Sequence, residues 1–81
     1  MQHEVKLPDL GEDAGDEATV SFFHFEEGDK VNEGDNLVEM VTDKAAFDVP
    51  SPVTGVLKKI LVDEDQVVRV GEALAIIETK D

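Results

Sequence analysis

Short apolar runs separated by turn-forming residues are the main pattern along this chain. β-Branched and aromatic residues cluster in brief stretches, and Gly, Pro, Asp and Asn interrupt them roughly every eight to twelve residues. No stretch keeps the helical spacing of apolar positions for more than a turn. The pattern therefore predicts an all-β sandwich or barrel.

The longest β-prone run is residues 19–25, which holds three of the four phenylalanines and is predicted to be a core strand. His24 lies within it, and we interpret it as a half-exposed or hydrogen-bonded strand histidine rather than a catalyst. Turns are predicted around Gly28, Gly34 and Gly55. The remaining predicted strands are residues 5–7, 37–41, 56–62, 67–70 and 74–77.

Residues 40–52 place a single lysine between two β-prone runs. The polar Thr-Asp-Lys step between the runs predicts a hairpin with Lys44 at its tip. Pro50 and Pro52 should end the second strand, because proline has no N–H to donate to a β-ladder.

The chain also resembles itself. A shift of 37 residues places Gly34 on Gly71 and Leu37 on Leu74, and it aligns apolar positions in between. This indicates two similar halves of about four strands each, related by a pseudo-twofold axis. The same shift places Lys44 on Asp81, so Lys44 is expected at one end of the domain and both termini at the other.

Length and charge restrict the functions that are possible. At 81 residues the chain is one domain with a modest core, since such domains bury only about 60% of their unfolded surface. The formal net charge of −13 argues strongly against nucleic acid and anionic membrane as partners, because both would be repelled. With no long apolar run or leader, we expect an intracellular, soluble domain.

Candidate chemistry is sparse. The chain has no cysteine, so it offers neither disulfides nor thiolate metal ligands. The acidic clusters at residues 9–17 and 63–65 lack the spacing of a calcium loop, and no metal site is predicted. A catalytic lysine normally occupies a desolvated pocket, whereas Lys44 is expected at an exposed tip. We therefore predict no catalytic residue and no independent enzyme activity.

Four motifs in register resemble the lipoyl domain of the biotinyl/lipoyl carrier family, and more narrowly the N-terminal lipoyl domain of the dihydrolipoamide acyltransferase in 2-oxo acid dehydrogenase complexes. They are residues 7–12, 27–31, 42–45 and 49–55, so the resemblance covers almost the whole chain. Gly28 and Gly55 stand on either side of Lys44 where the family places glycines.

The resemblance implies a flattened β-barrel, or barrel-sandwich hybrid, of two four-stranded antiparallel sheets. It also implies that Lys44 carries lipoic acid through an amide bond made by a lipoate ligase or lipoyl transferase. The lipoyl group would then act as a swinging arm for acyl groups and reducing equivalents. Lys44 would be a site of attachment rather than a catalyst.

The partners implied by the resemblance are a thiamine-dependent 2-oxo acid decarboxylase, an acyltransferase core and dihydrolipoamide dehydrogenase, a flavoprotein. The chain is expected to be a single lipoyl domain, residues 1–81 with a core at about 4–78, excised from a longer acyltransferase. The isolated domain is expected to be a monomer. Its expected location is the cytoplasm, or the mitochondrial matrix in a eukaryote.

The resemblance also suggests residues that shape the lysine turn or are recognised by partner enzymes. These are Thr42, Asp43, Ala45, Gly28 and Gly55, together with Leu10, Gly11, Glu12 and Asp13. The last four belong to the loop from Leu10 to Glu17, which is expected to lie close to the turn and to help the decarboxylase recognise its own domain. The chain departs from the family pattern at Asp13 and Ala18, where glycine is frequent, and at Val41, where glutamate usually precedes the threonine.

Two alternatives remain open. A biotin carrier domain has the same fold, but its lysine is typically flanked by methionines, whereas Lys44 is flanked by Asp43 and Ala45. A barrel used only as a structural or adaptor module, with Lys44 unmodified, would have the same strand pattern. The mass of the domain and the effect of replacing Lys44 would distinguish these alternatives from a lipoyl carrier.

Overall fold

The computed structural model describes residues 1–10 and 15–80, and within them it contains eight strands and no helix. None of the described residues therefore belongs to a helix that could cross a membrane. The all-β prediction is confirmed. The strands are β1 (Gln2–Lys6), β2 (Glu17–Phe23), β3 (Lys30–Val31), β4 (Asn36–Val41), β5 (Ala46–Pro50), β6 (Gly55–Ile60), β7 (Val67–Arg69) and β8 (Ala73–Glu78).

The strands form two four-stranded sheets in which all neighbouring strands are antiparallel. One sheet has the order β1-β8-β6-β3 and the other β5-β4-β2-β7. Adding four to each strand number of the first sheet, and counting on from β8 to β1, gives the strand order of the second sheet. The predicted pseudo-twofold relation between the two halves is thus present in the strand topology.

The hydrogen bonds of the turns repeat in the same way. The backbone N–H of Gly34 donates to the carbonyl of Ser51 at 2.9 Å, and that of Gly71 donates to the carbonyl of Leu7 at 2.9 Å. Both glycines have left-handed backbones, with φ of 90° and 91°, which residues with a Cβ rarely adopt. The 37-residue shift therefore relates the turn geometry as well as the strands.

The first strand of each half follows a different shift. Leu7 after β1 and Ser51 after β5 have equivalent bonds, although they are 44 positions apart in the sequence. The connection from β1 to β2 is thus longer than the connection from β5 to β6.

One apolar core lies between the sheets. Apolar residues on the inner faces alternate with exposed residues along most strands, as expected for sheets with one face in solvent. The single buried polar side chain among the described residues is Ser51, whose hydroxyl donates to the carbonyl of Val53 at 2.6 Å. The buried apolar residues are Val5, Leu7, Ala18, Val20, Val31, Leu37, Val38, Met40, Val49, Leu57, Val62, Val68, Leu74, Ala75 and Ile77.

The phenylalanine-rich run is only partly a core strand. β2 ends at Phe23, and Phe22 remains 39% exposed on the outer face. His24 follows the strand; its Nε2 lies 2.8 Å from Asp48 Oδ1, and its ring makes an edge contact with Phe22 at 4.9 Å. His24 is hydrogen-bonded, as interpreted from the sequence, but it is exposed and lies just outside the strand.

Gly55 differs from its predicted place in a turn, because it is the first residue of β6. A Cβ at this position would overlap with the backbone carbonyl oxygen of Glu78 and lie 2.9 Å from Cγ2 of Ile77. Glycine is therefore required here by the close approach of β8 and not by a turn.

Candidate functional site

The lysine turn joins β4 to β5. Val41 pairs with Ala46 at the base of the hairpin, and Lys44 lies at the exposed tip between them. β5 then ends at Pro50, as predicted from the proline pair. The hairpin with Lys44 at its tip is thus confirmed.

Thr42 closes this turn. Its backbone N–H donates to the carbonyl of Ala45 at 2.8 Å, and its hydroxyl donates to the same oxygen at 3.2 Å. The hydroxyl oxygen also accepts from the backbone N–H groups of Lys44 at 3.3 Å and Ala45 at 3.2 Å. A local side-chain to backbone network of this kind fixes the backbone around Lys44.

The lysine turn and the termini lie at opposite ends of the domain. Strand β5 runs from the lysine turn to Pro50, and strand β1 runs from Met1 to Lys6. Pro50 and Lys6 line the same shallow cleft. β5 and β1 therefore approach each other with their C-terminal ends. Two five-residue strands at about 3.3 Å per residue account for most of the 37 Å long axis.

The termini occupy the position that the lysine turn holds in the other sheet. The N–H and the hydroxyl of Thr79 both donate to the carbonyl of Met1, at 2.8 and 3.1 Å, as those of Thr42 do to Ala45. The expected separation of Lys44 from the termini follows from this symmetry.

A cleft of about 590 Å³ lies beside the lysine turn. It is formed by the start of β2, the end of β4 and the edge strand β7, so segments distant in sequence meet there. Its lining residues are Gly15, Asp16, Glu17, Ala18, Thr19, Val41, Thr42, Asp43 and Val67.

A second cleft, of about 700 Å³, occupies the equivalent position at the terminal end. Its lining includes Lys30 and Glu78, the equivalents of Val67 and Val41 under the 37-residue shift. A hydrogen bond from the N-terminal ammonium group, whose nitrogen lies 3.2 Å from Oε2, lowers the pKa of Glu78. The nearby ammonium group of Lys58, 3.6 Å from Oε1, lowers this pKa further.

The structure brings together only some of the predicted site residues. Thr42, Asp43 and Ala45 form the lysine turn, and residues 15–17 from the end of the predicted loop line the adjacent cleft. Leu10 is half-buried against the core. Gly11, Glu12 and Asp13 lie outside the described residues.

Gly28 and Gly55 are not part of the lysine site. Gly28 has φ of 97° in the turn before β3, and its N–H donates to the carbonyl of Leu57 at 2.7 Å. Gly55 lines the terminal cleft. Both glycines shape the barrel, one by its left-handed backbone and one by its closeness to β8.

Val67 and Thr19 are among the lining residues that were not predicted as site residues. They lie far from Lys44 in sequence and reach the cleft only through the pairing of β2 with β4 and β7. The repeat contained a signal for Val67, because the equivalent residue in the first half is the charged Lys30. An apolar residue at a position that is charged in the other half marks a difference between the two ends.

The chemistry available at this end is that of an exposed primary amine. Among residues 1–10 and 15–80, no group of three or more histidine, aspartate or glutamate side chains is placed to hold a metal ion. An exposed amine on a fixed turn fits amide attachment of a carboxylic acid, which needs the amine to enter the active site of a modifying enzyme.

Comparison with protein families gives a match over residues 3–77 to the Biotin_lipoyl family, described as "Biotin-requiring enzyme". The dihydrolipoyllysine-residue acetyltransferase component of the pyruvate dehydrogenase complex of Staphylococcus epidermidis strain ATCC 35984 is 38% identical over 81 residues. The corresponding component of Staphylococcus aureus strain Mu50 is 36% identical over 81 residues. These matches cover all of this chain and 18% and 19% of those proteins, so the chain spans about a fifth of their length.

Solved structures agree with the observed fold. The solution structure of the lipoyl domain of the 2-oxoglutarate dehydrogenase complex from Azotobacter vinelandii matches with a TM-score of 0.74 and 28% identity, covering 94% of this chain and 95% of that one. Kluyveromyces lactis urea carboxylase matches with a TM-score of 0.81 and 19% identity, covering 96% of this chain and 6% of that one, which shows the fold alone. Since the family match spans nearly the whole chain, the protein belongs to the Biotin_lipoyl family.

Proposed function

We propose that the protein is a lipoyl carrier domain in which lipoic acid is attached to Lys44. The observation that carries this proposal is the exposed position of Lys44 at the tip of a turn fixed by Thr42. The likeness to two dihydrolipoyllysine-residue acetyltransferases supports it.

Attachment needs only the amine and the turn. The Lys44 ammonium group first gives up a proton, and the neutral amine attacks the carboxyl carbon of an activated lipoate. The activating group leaves, and the nitrogen loses a second proton as the amide forms. The side chain loses its positive charge, so the domain becomes one unit more negative than −13. When bound, the lipoyl group supplies a disulfide that can be reduced and acylated.

The chain itself contributes position and reach. Thr42 fixes the backbone at the tip, and the barrel holds the tip away from the terminal end. Because the arm is tethered, its encounters with each partner become effectively intramolecular at a raised local concentration.

The proposed partners are a thiamine-dependent 2-oxo acid decarboxylase, an acyltransferase core, dihydrolipoamide dehydrogenase and the enzyme that attaches lipoate. The parent protein is proposed to be an acyltransferase of a 2-oxo acid dehydrogenase complex, in the cytoplasm or in the matrix of mitochondria. Asp43, Ala45 and the loop from Leu10 to Glu17 are proposed as the surface that the decarboxylase recognises, because residues 15–17 and Asp43 line one cleft.

Biotin is the second candidate, favoured by the description of the matching family. The residues beside Lys44 argue for lipoate, since Asp43 and Ala45 stand where biotin carriers typically have methionines.

A modification assay tests the attachment. The purified domain is incubated with a lipoate ligase, ATP and lipoate, and in parallel with a biotin ligase, ATP and biotin, and its mass is measured. We expect a gain of one lipoyl group, abolished by Lys44→Arg and retained in Lys58→Arg, a matched exposed lysine on β6. A gain of biotin alone, or modification that persists in Lys44→Arg, would contradict the proposal.

A second assay tests the pathway. The lipoylated domain is offered to the 2-oxo acid decarboxylases of its organism with their substrates, and acylation is followed by mass. We expect one decarboxylase to acylate it much faster than the others. If none acylates it, or if cells carrying Lys44→Arg keep full complex activity, the barrel is an adaptor instead.

A further inference from the structure

The cleft beside the lysine turn has an apolar wall that packing does not require. Val67 lies on the edge strand β7 and is 55% exposed, the highest exposure of any large apolar residue after Met1 in the described chain. Half-buried Val41 lines the same cleft from the end of β4. An exposed valine contributes little to the core, so this side chain is available to contact another group.

The pseudo-twofold symmetry provides an internal comparison. At the terminal end, the equivalents of Val67 and Val41 are Lys30 and Glu78, and both line the equivalent cleft. The same strand pairings therefore form with charged residues at these positions. The valines are specific to the end that carries Lys44 and are not a condition of the fold.

Ala18, the equivalent of Gly55, also lines the cleft but is only 3% exposed. At two other equivalent positions the difference is reversed, because the terminal cleft has Val53 and Val56 where the lysine end has Asp16 and Thr19. The apolar wall at the lysine end therefore consists of Val41 and Val67 alone.

We infer that this wall, Val41 and Val67, receives the hydrocarbon part of the group carried on Lys44 and docks the arm reversibly between its visits to partner enzymes. The inference rests on the proposed function. Val41 is three residues from Lys44, directly at the base of the same hairpin. A tethered group is always present at high local concentration, so even a weak apolar surface will be occupied for part of the time.

The chemistry of the arm fits the cleft. Below its amide the lipoyl group is a saturated chain ending in a disulfide ring, with no charge to repel the acidic residues nearby. The volume of about 590 Å³ is within the range of about 300–1,000 Å³ that small-molecule sites occupy. Docking would keep apolar surface out of water, and a partner enzyme would compete with the cleft for the arm.

The test is a comparison of the unmodified and lipoylated domains by methyl NMR. We expect lipoylation to shift the methyl signals of Val41 and Val67 and to give cross-peaks between these methyl groups and protons of the arm. Signals of Val56, an exposed valine in the terminal cleft, should not move.

Substitutions taken from the other half of the molecule make the test specific. Val67→Lys and Val41→Glu place at the lysine end the residues found at the terminal end, where the fold accommodates them. Each should abolish the cross-peaks, while Val56→Lys should leave them unchanged. Backbone amide spectra establish that each variant is folded, and the second variant serves if the first is not.

Two results would overturn the inference alone: a lipoylated domain whose methyl signals match those of the unmodified domain, or cross-peaks that persist in both charged variants. Failure of the proposed function is recognised separately by mass, as a domain that accepts no lipoyl group on Lys44. That outcome would overturn the inference as well.

Discussion

Thr42 is the residue on which the geometry of the lysine turn depends most. Its backbone and hydroxyl make four hydrogen bonds within the turn, and two of them accept from the backbone of Lys44 and Ala45. The side chain of Lys44 is then presented by a fixed backbone, so a modifying enzyme meets one conformation of the turn.

Thr42→Val should therefore loosen the turn. The hydroxyl bonds are partly exposed, and their loss should lower the free energy of unfolding by about 1 kcal/mol. The rate of lipoylation should fall as well, measured by mass at fixed ligase concentration. The matched control is Thr79→Val, which removes the equivalent hydroxyl at the terminal end. It should cost stability without slowing lipoylation; equal slowing in both variants would contradict a local role for Thr42.

Glu78 gives a prediction for pH. Its pKa is lowered by the hydrogen bond from the N-terminal ammonium group and by the charge of Lys58, so folding favours its ionised form. The resulting stabilisation is present above the unfolded pKa of glutamate and is lost as the pH falls through the lower, folded pKa. NMR titration should show Glu78 ionising below the ordinary range of a glutamate carboxyl. Acetylation of the N-terminus, which removes its charge, should raise this pKa; an unchanged value would exclude the ammonium as the cause.

At the scale of the strands and turns, two glycines are needed for different physical reasons. Gly28 has a left-handed backbone in open space, whereas Gly55 lies on a strand with the carbonyl of Glu78 where its Cβ would be. The residue equivalent to Gly28 in the second half is Asp65, with φ of 70°, so a side chain that tolerates this backbone is accepted there.

Substitution by alanine and by asparagine should separate the two cases. Gly28→Ala should destabilise the domain by about 1–2 kcal/mol, and Gly28→Asn by less, because asparagine visits left-handed conformations more readily. Gly55→Ala should cost about 1–3 kcal/mol through overpacking, and Gly55→Asn should be no better. Unfolding by urea measures both pairs. If asparagine were as costly as alanine at residue 28, backbone strain would not be the reason for Gly28.

The sequence allowed most of the strands, the lysine hairpin and the two-half organisation to be predicted, because short apolar runs and turn residues are local signals. The two-residue strand β3 was not among the predicted strands. The 37-residue repeat was informative since equivalent turns such as those at Gly34 and Gly71 need the same backbone. The 37-residue repeat did not reveal that β1 and β5 are equivalent, because these strands are 44 residues apart. A comparison at one fixed spacing cannot align segments separated by an insertion.

The cleft beside Lys44 could not be predicted from the sequence. Its walls come from residues 15–19, 41–43 and 67, and only the pairing of β2 with β4 and β7 brings them together. The need for Gly55 was misassigned to a turn for the same reason, since the group that crowds it belongs to a strand more than twenty residues later. Long-range proximity has no local signature.

At the scale of the whole molecule, the net charge of −13 is carried on a body only 37 Å long. At about 0.01 M ionic strength the Debye length of about 30 Å is comparable to that length, so most acidic groups repel one another. At about 0.15 M it falls to about 8 Å, and only near neighbours interact.

The melting temperature should accordingly rise by several degrees between about 0.01 and 0.15 M NaCl, measured by calorimetry. A variant with Glu33→Gln and Glu64→Gln, both at exposed positions, has two fewer negative charges and should show a smaller rise. A melting temperature independent of salt would mean that self-repulsion does not limit the stability of this domain.

The hydrogen bonds from Thr79 to Met1 have a consequence for circular permutation of the chain. Because Thr79 and Met1 stand where Thr42 and Ala45 stand, Thr79 could be joined to Met1 through Asp-Lys, the two residues of the lysine turn, in place of Lys80 and Asp81. The ring could then be reopened at the turn of residues 63–66. Such a circular permutant would keep both sheets and gain a second lysine turn in place of its former ends. It would be a barrel with one attachment point at each pole, able to present two arms about 37 Å apart.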